Sequence, residues 1–125
     1  MNAPKKLLVI DDNEEILISL NRYLTKKHYD VVSVNNGLDA LKLLEASAGN
    51  FDLVITDLVM PNISGVAVTA IIKKQYPQIP VIAITGYGEQ PEALAKEVHA
   101  DVVMDKPFKL NILGDNIQNL LDLDP

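Results

Sequence analysis

The sequence contains no cysteine and no tryptophan. Without thiols there can be no disulfide, thiolate metal site or cysteine nucleophile, and a cytoplasmic protein is the natural expectation. Long apolar runs are missing too. Leu7–Ile10 and Val81–Ile84 are four residues each, far short of the roughly 20 that a membrane span requires. Lys5 and Lys6 precede the first run, but it stops at Asp11, too soon for a signal peptide. Arginine is nearly absent, with Arg22 alone, and 17 acidic residues outweigh 11 basic ones for a net charge of −6. Such a chain lacks the electrostatic footprint of nucleic-acid backbone binding, so no direct nucleic-acid partner is expected. Neither sign collects in a long run, and most of the excess acid reads as solvated surface.

What is present is ordinary globular material. Apolar residues make up 48% and charged residues 22%, a balance that argues against disorder. The 125 residues suit one domain with a real core. Five short apolar runs stand out: Lys6–Ile10, Asp30–Val34, Asp52–Thr56, Pro80–Thr85 and Asp101–Met104. Apolar at nearly every position, they read as strands covered on both faces.

Helical patterns fill the gaps. After the first run, Ile16, Leu17, Leu20, Tyr23 and Leu24 form one stripe, with Asn13 as N-cap and Glu14 and Glu15 in the first turn. A second helix over about 37–46 should bury Leu38, Leu41 and Leu44 or Leu43. A third over about 64–76 offers Val68, Ile71 and Ile72 and is stopped by Pro77. A short fourth helix falls near 91–98. The last aligns Leu110, Leu113, Ile117, Leu120 and Leu121, despite Gly114, which should cost about 1 kcal/mol relative to alanine. The pattern predicts a doubly wound α/β sandwich of five βα units, with chemistry at the carboxyl ends of the strands.

Four of the five strand ends carry a residue able to bind a metal or phosphoryl group: Asp11-Asp12, Asp57, Thr85 and Lys106-Pro107. A single polar residue at a strand end is ordinary, because strands emerge into water there. Convergence of several in one crevice is not. Three carboxylates against one ammonium repel one another unless a hard cation compensates. With no nearby His or Cys ligand, Mg²⁺ or Mn²⁺ suits the site better than zinc. One carboxylate can then act as a nucleophile toward phosphorus, and the isolated Asp57 suits that role better than the Asp11-Asp12 pair. Lys106 would neutralise one phosphoryl oxygen and the Thr85 hydroxyl would bond another, with Gly86 and Gly88 letting that loop move.

These blocks, LLVIDDNEEI (7–16), VITDLVMPNISG (54–65), VIAITGYG (81–88) and VVMDKPF (102–108), resemble the receiver domains of two-component response regulators. The ordered spacing is the specific part: Asp57 follows Asp12 by 45 residues, Thr85 comes 28 later and Lys106 21 after that. The resemblance implies a flavodoxin-like (βα)5 fold with sheet order 2-1-3-4-5, covering 1–125 with about 5–122 structured. It implies a phosphoryl group received on Asp57 from a histidine kinase or histidine phosphotransfer protein. Mg²⁺ would be held by Asp12, Asp57 and the backbone carbonyl of Val59, with Asp11 in the outer acidic pocket. Thr85 would be the switch and Lys106 the phosphoryl contact, aimed by a cis peptide before Pro107. Output would pass through the face formed by the fourth helix, fifth strand and fifth helix. The chain would act as a signalling switch rather than a turnover enzyme.

Some residues depart from the family pattern. Val103 stands where Tyr or Phe is usual, so the aromatic swing coupled to the threonine is absent in its usual form. The last helix has no arginine, and Asp101-Val102 stands where a second acid is common, which argues against the charged dimer face of many DNA-binding regulators. The sequence runs to Pro125 directly after the last helix, which reads either as a stand-alone receiver or as a receiver cut from a longer chain, and Met1 reads as a natural start. Val59 and Tyr87 are expected to shield an acyl phosphate from water. His28 and His99 read as surface residues at helix ends. Tyr23, Tyr29, Phe51 and Phe108 read as packing residues.

Rival functions fit less well. Haloacid-dehalogenase-like phosphohydrolases use D-x-D after their first strand, whereas here the acids are adjacent. A nucleotide or flavin carrier would put a glycine- or hydroxyl-rich loop where this chain has Asp-Asp-Asn-Glu-Glu. A receiver that binds partners without phosphorylation ranks lower, because all five chemical positions are intact.

Overall fold

Strands without a polar face have to be covered on both sides. The computed structural model, which describes residues 3–86 and 91–122, does this with helices on each face. Strands β1 (Lys6–Ile10), β2 (Asp30–Val34), β3 (Leu53–Asp57), β4 (Val81–Thr85) and β5 (Val102–Asp105) alternate with helices. The helices are α1 (Glu14–Lys26), α2 (Gly37–Ala46), α3 (Gly65–Gln75), α4 (Pro91–Glu97) and α5 (Leu110–Asp122). Every strand pair is parallel and the sheet order is β2-β1-β3-β4-β5, as expected. The winding reverses between β1 and β3, which opens a crevice beyond their carboxyl ends.

Side chains on alternate positions build two layers. Leu7, Val9, Leu53, Ile55, Ile82 and Ile84 pack with Leu17, Leu20 and Leu24 of α1 and Leu113 and Ile117 of α5. Leu8, Ile10, Val54 and Val81 pack on the other face with Ala40 and Leu44 of α2 and Val68 and Ile72 of α3. Under α4 the layer is thin: Leu58, Ala83 and Ala95, with Val66, Ala100 and Val103 at its margin. Phe51 is buried, and Tyr23, Tyr29 and Phe108 lie half-buried against the core, as expected. The edge strand β2 is only half-buried, because no further strand covers its outer side. No described helix is long and apolar enough to cross a membrane.

The helix starts are built locally. Asn13 Oδ1 accepts from the N–H groups of Glu15 (2.9 Å) and Ile16 (3.3 Å), capping α1. Ser64 caps α3 through the Ala67 N–H at 3.2 Å. Two expectations need correction. Leu38 is not a core residue but is 50% exposed. The inward positions of α2 are Gly37, Ala40 and Leu44. A Cβ at Gly37 would lie 3.0 Å from both the Ile63 carbonyl oxygen and Val68, and this close approach of the helix start turns Leu38 outward. The third and fifth strands also sit one residue later than expected at both ends. Asp52 and Asp101 stand just before them, and their carboxylates accept the Lys6 and Val81 N–H groups, each at 2.7 Å.

Gly114 has a packing reason. A Cβ there would lie 2.7 Å from the Tyr23 hydroxyl but 3.5 Å from the nearest ring carbons. In a Tyr23→Phe background, Gly114→Ala should therefore gain about 1 kcal/mol of helix stability. In the wild-type background the same change should gain nothing. Urea unfolding of the four proteins checks this, and an equal gain in both backgrounds would contradict it.

Candidate functional site

The turn after β1 is dictated by Asp11-Asp12-Asn13. Asp11 Oδ1 accepts the Asn13 N–H at 2.9 Å, so the residue that caps α1 also fixes the first carboxylate. Asp11 is 1% exposed, whereas Asp12 faces solvent. Asp57 is the last residue of β3, paired with Ile84, and continues the inward parity of Leu53 and Ile55. It is 5% exposed, and its Oδ1 accepts the Val59 N–H at 3.3 Å. One carboxylate oxygen from each of Asp11, Asp12 and Asp57 lies within 4.8 Å of the others.

Lys106 closes the cluster from the end of β5. Its Nζ stands 3.3 Å from Asp11 Oδ2 and 3.3 Å from Asp57 Oδ2. Its own N–H donates to the Thr85 carbonyl at 2.8 Å, and the Lys106–Pro107 peptide is cis, as expected. Burial pushes the Asp11 carboxyl above the usual carboxylate range. The Asn13 N–H opposes that shift, Asp57 adds to it, and Lys106 counters it. One ammonium facing three carboxylates leaves the cluster short of positive charge. The donors are all oxygens, which suits a hard divalent cation.

The turn from β3 into α3 folds back tightly over this cluster. A Cβ on Gly65 would stand 1.7 Å from the Asp57 carbonyl oxygen, so only glycine fits. The Gly65 N–H donates to the Leu58 carbonyl at 3.0 Å, and Asn62 takes a left-handed φ of 68° within the turn. The Val59 side chain is 50% exposed beside the crevice.

The structure thus brings Asp11, Asp12, Asp57 and Lys106 together. Thr85 lies buried at the adjacent strand end, but its hydroxyl donates to Asp105 Oδ1 at 2.6 Å. Asp105 was missed in the sequence because the fifth strand was expected to stop at Met104. The signal is the register, which sets Thr85 opposite Asp105. Asp101 is engaged within the domain, accepting from Lys73 Nζ at 2.9 Å. His28 and His99 are exposed, with left-handed φ of 71° and 65° at helix C-terminal ends, as expected. Tyr87 and Gly88, to which a shielding and a hinge role were given, lie outside the described residues.

Comparison with known proteins agrees with this geometry. The model of the response regulator receiver domain matches residues 7–118. The sensor kinase CckA of Brucella abortus (strain 2308) is 29% identical over 125 residues, covering 98% of this chain and 13% of that protein. The alkaline phosphatase synthesis transcriptional regulatory protein PhoP of Bacillus subtilis (strain 168) is 31% identical over 118 residues, 94% of this chain and 48% of its own length. The chain therefore spans less than half the length of these relatives. Among solved structures, the response regulator TrrA of Thermotoga maritima, in complex with Mg²⁺-BeF, superposes with a TM-score of 0.82. Its identity is 34%, over 94% of this chain and 99% of that one. Three acids and a lysine at the carboxyl end of a 2-1-3-4-5 sheet, matched along nearly the whole chain, make this protein a member of the response regulator receiver domain family, the phosphoacceptor domains of two-component signalling.

Proposed function

We propose that Asp57 is the phosphoacceptor of this chain, receiving a phosphoryl group from a phosphohistidine of a histidine kinase or histidine phosphotransfer protein. The observation that carries the reading is the Lys106 ammonium set 3.3 Å from both Asp11 and Asp57. In the transfer, a carboxylate oxygen of Asp57 forms the new P–O bond as the P–N bond of the donor's phosphohistidine, protonated on its other ring nitrogen, breaks. The electron pair stays on the ring, leaving an acyl phosphate on the protein and a neutral imidazole on the donor. Lys106 neutralises a phosphoryl oxygen where it now neutralises carboxylate, and Thr85 donates its hydroxyl to another. Asp12, Asp57 and the Val59 backbone carbonyl would hold Mg²⁺, or Mn²⁺, with Asp11 in the outer pocket; when bound, the cation supplies the charge that lets a phosphate approach three acids.

The chain then works as a switch, catalysing at most its own phosphorylation and dephosphorylation. A groove lined by Ile16, Leu20, Pro107 and Phe108 runs beside Lys106 and suits the approach of the phosphodonor protein. The α4-β5-α5 face is the proposed output surface for a protein partner. A reducing intracellular compartment fits a chain without cysteine. Val59 is half-exposed and its N–H donates to Asp57 Oδ1, which supports a role for its side chain in shielding the acyl phosphate and slowing its hydrolysis.

Two measurements test the reading. Incubation with Mg²⁺ and acetyl phosphate should add one phosphoryl group by intact mass, and the adduct should be lost in Asp57→Asn and without metal. No adduct with acetyl phosphate or with a kinase or phosphotransfer protein would overturn the reading. The second concerns pH. Because burial raises the Asp11 carboxyl in the folded state, the native protein holds a proton there that the unfolded chain releases. Metal-free stability should therefore fall as pH rises from the ordinary carboxylate value through the raised one. Mg²⁺ at about 100 times its Kd should restore about 2.7 kcal/mol. The Mg²⁺-induced rise in Tm should be larger at pH 7 than at pH 5, as thermal unfolding at both pH values can check.

A further inference from the structure

A hydroxyl group has one proton to donate. The Thr85 proton is spent on Asp105 Oδ1 at 2.6 Å, across the β4–β5 register that sets the two residues opposite each other. Thr85 is 2% exposed, so its hydroxyl has little recourse to water, and it cannot serve a phosphoryl oxygen while it serves Asp105. The contact is charge-assisted, and such bonds are about twice as strong as neutral ones. Asp105 sits on the residue immediately before Lys106, whose N–H is bonded to the Thr85 carbonyl at 2.8 Å. Both backbone and side chain of Thr85 are thus tied to the end of β5. Two residues earlier on the same strand, Val103 pairs with Ala83 and supplies only aliphatic packing.

We propose that Asp105 is a positioning residue that holds the Thr85 hydroxyl in the resting state and thereby sets the threshold for switching. A phosphoryl group on Asp57 has to win the hydroxyl from a carboxylate, so the resting state is favoured by the difference between the two bonds. Removing the carboxylate lowers that threshold. The inference rests on the reading of Thr85 as a phosphoryl contact, and the test separates the two.

The probe is beryllium fluoride with Mg²⁺, titrated into the full chain and followed by backbone amide NMR. Asp105→Ala should tighten apparent binding about fivefold, the scale of one partly exposed charge-assisted hydrogen bond. Asp105→Asn, which keeps an acceptor without the charge, should give a smaller gain of about twofold. Thr85→Val should weaken binding, and adding Asp105→Ala to it should then change nothing. An equal gain from Asp105→Ala with and without the Thr85 hydroxyl would overturn the proposal, because the effect would be general charge repulsion. Unchanged binding in Asp105→Ala while Thr85→Val weakens it would overturn the proposal and leave the Thr85 reading standing. No effect of Thr85→Val would overturn both.

Discussion

One ammonium group between two buried carboxylates is the constraint on which the rest of this domain depends. Asp11 and Asp57 are 1% and 5% exposed, and two carboxylates packed side by side away from water repel each other unless a cation stands between them. Lys106 supplies it from a strand end 95 residues away from Asp11 in sequence. That separation explains why the whole sheet is needed for so small a site. The ends of β1, β3 and β5 deliver Asp11 with Asp12, Asp57 and Lys106 respectively, and the hydrophobic layers on both faces fix where those strands end. The compensation is also incomplete, since Asp11 still sits above the usual carboxylate range. The resting site is therefore poised to take up positive charge and, with it, a phosphate.

The surrounding turns serve that placement. Asn13 ties the first helix to Asp11, so the acid and the helix cap are one local unit. Gly65 lets the chain double back onto the Asp57 carbonyl, where any side chain would collide. At the far end of β4 the Thr85 hydroxyl belongs to Asp105, so the group that would answer a phosphoryl group is held by the strand that also carries Lys106. Charge neutralisation and switching are thus both anchored at residues 105 and 106.

Much of this was legible in the sequence. The five strands and the candidates Asp11, Asp12, Asp57 and Lys106 follow from apolar runs that end in charged residues, the cap at Asn13 from its place before the first helical stripe, and the sheet order from the family resemblance. Two features were not legible, for physical reasons. Leu38 reads as a core residue because helical period alone does not reveal that Gly37 is the residue pressed against the Ile63 carbonyl, with Ala40 and Leu44 on the same inward face. Asp105 escaped notice because its importance lies in a cross-strand register, and register is fixed by pairing partners distant in sequence. Gly114, read as a cost to its helix, proves to make room for the Tyr23 hydroxyl of a helix that the sequence alone cannot place beside it.

The central claim is that this arrangement directs a phosphoryl group to one carboxylate among several. Borohydride reduction of the phosphorylated chain, followed by peptide mass mapping, tests it most directly. Reduction of an acyl phosphate turns an aspartate into homoserine, and the account predicts that conversion at Asp57 alone. Conversion at Asp11, Asp12 or Asp105, or a phosphoryl group retained on His28 or His99, would contradict it.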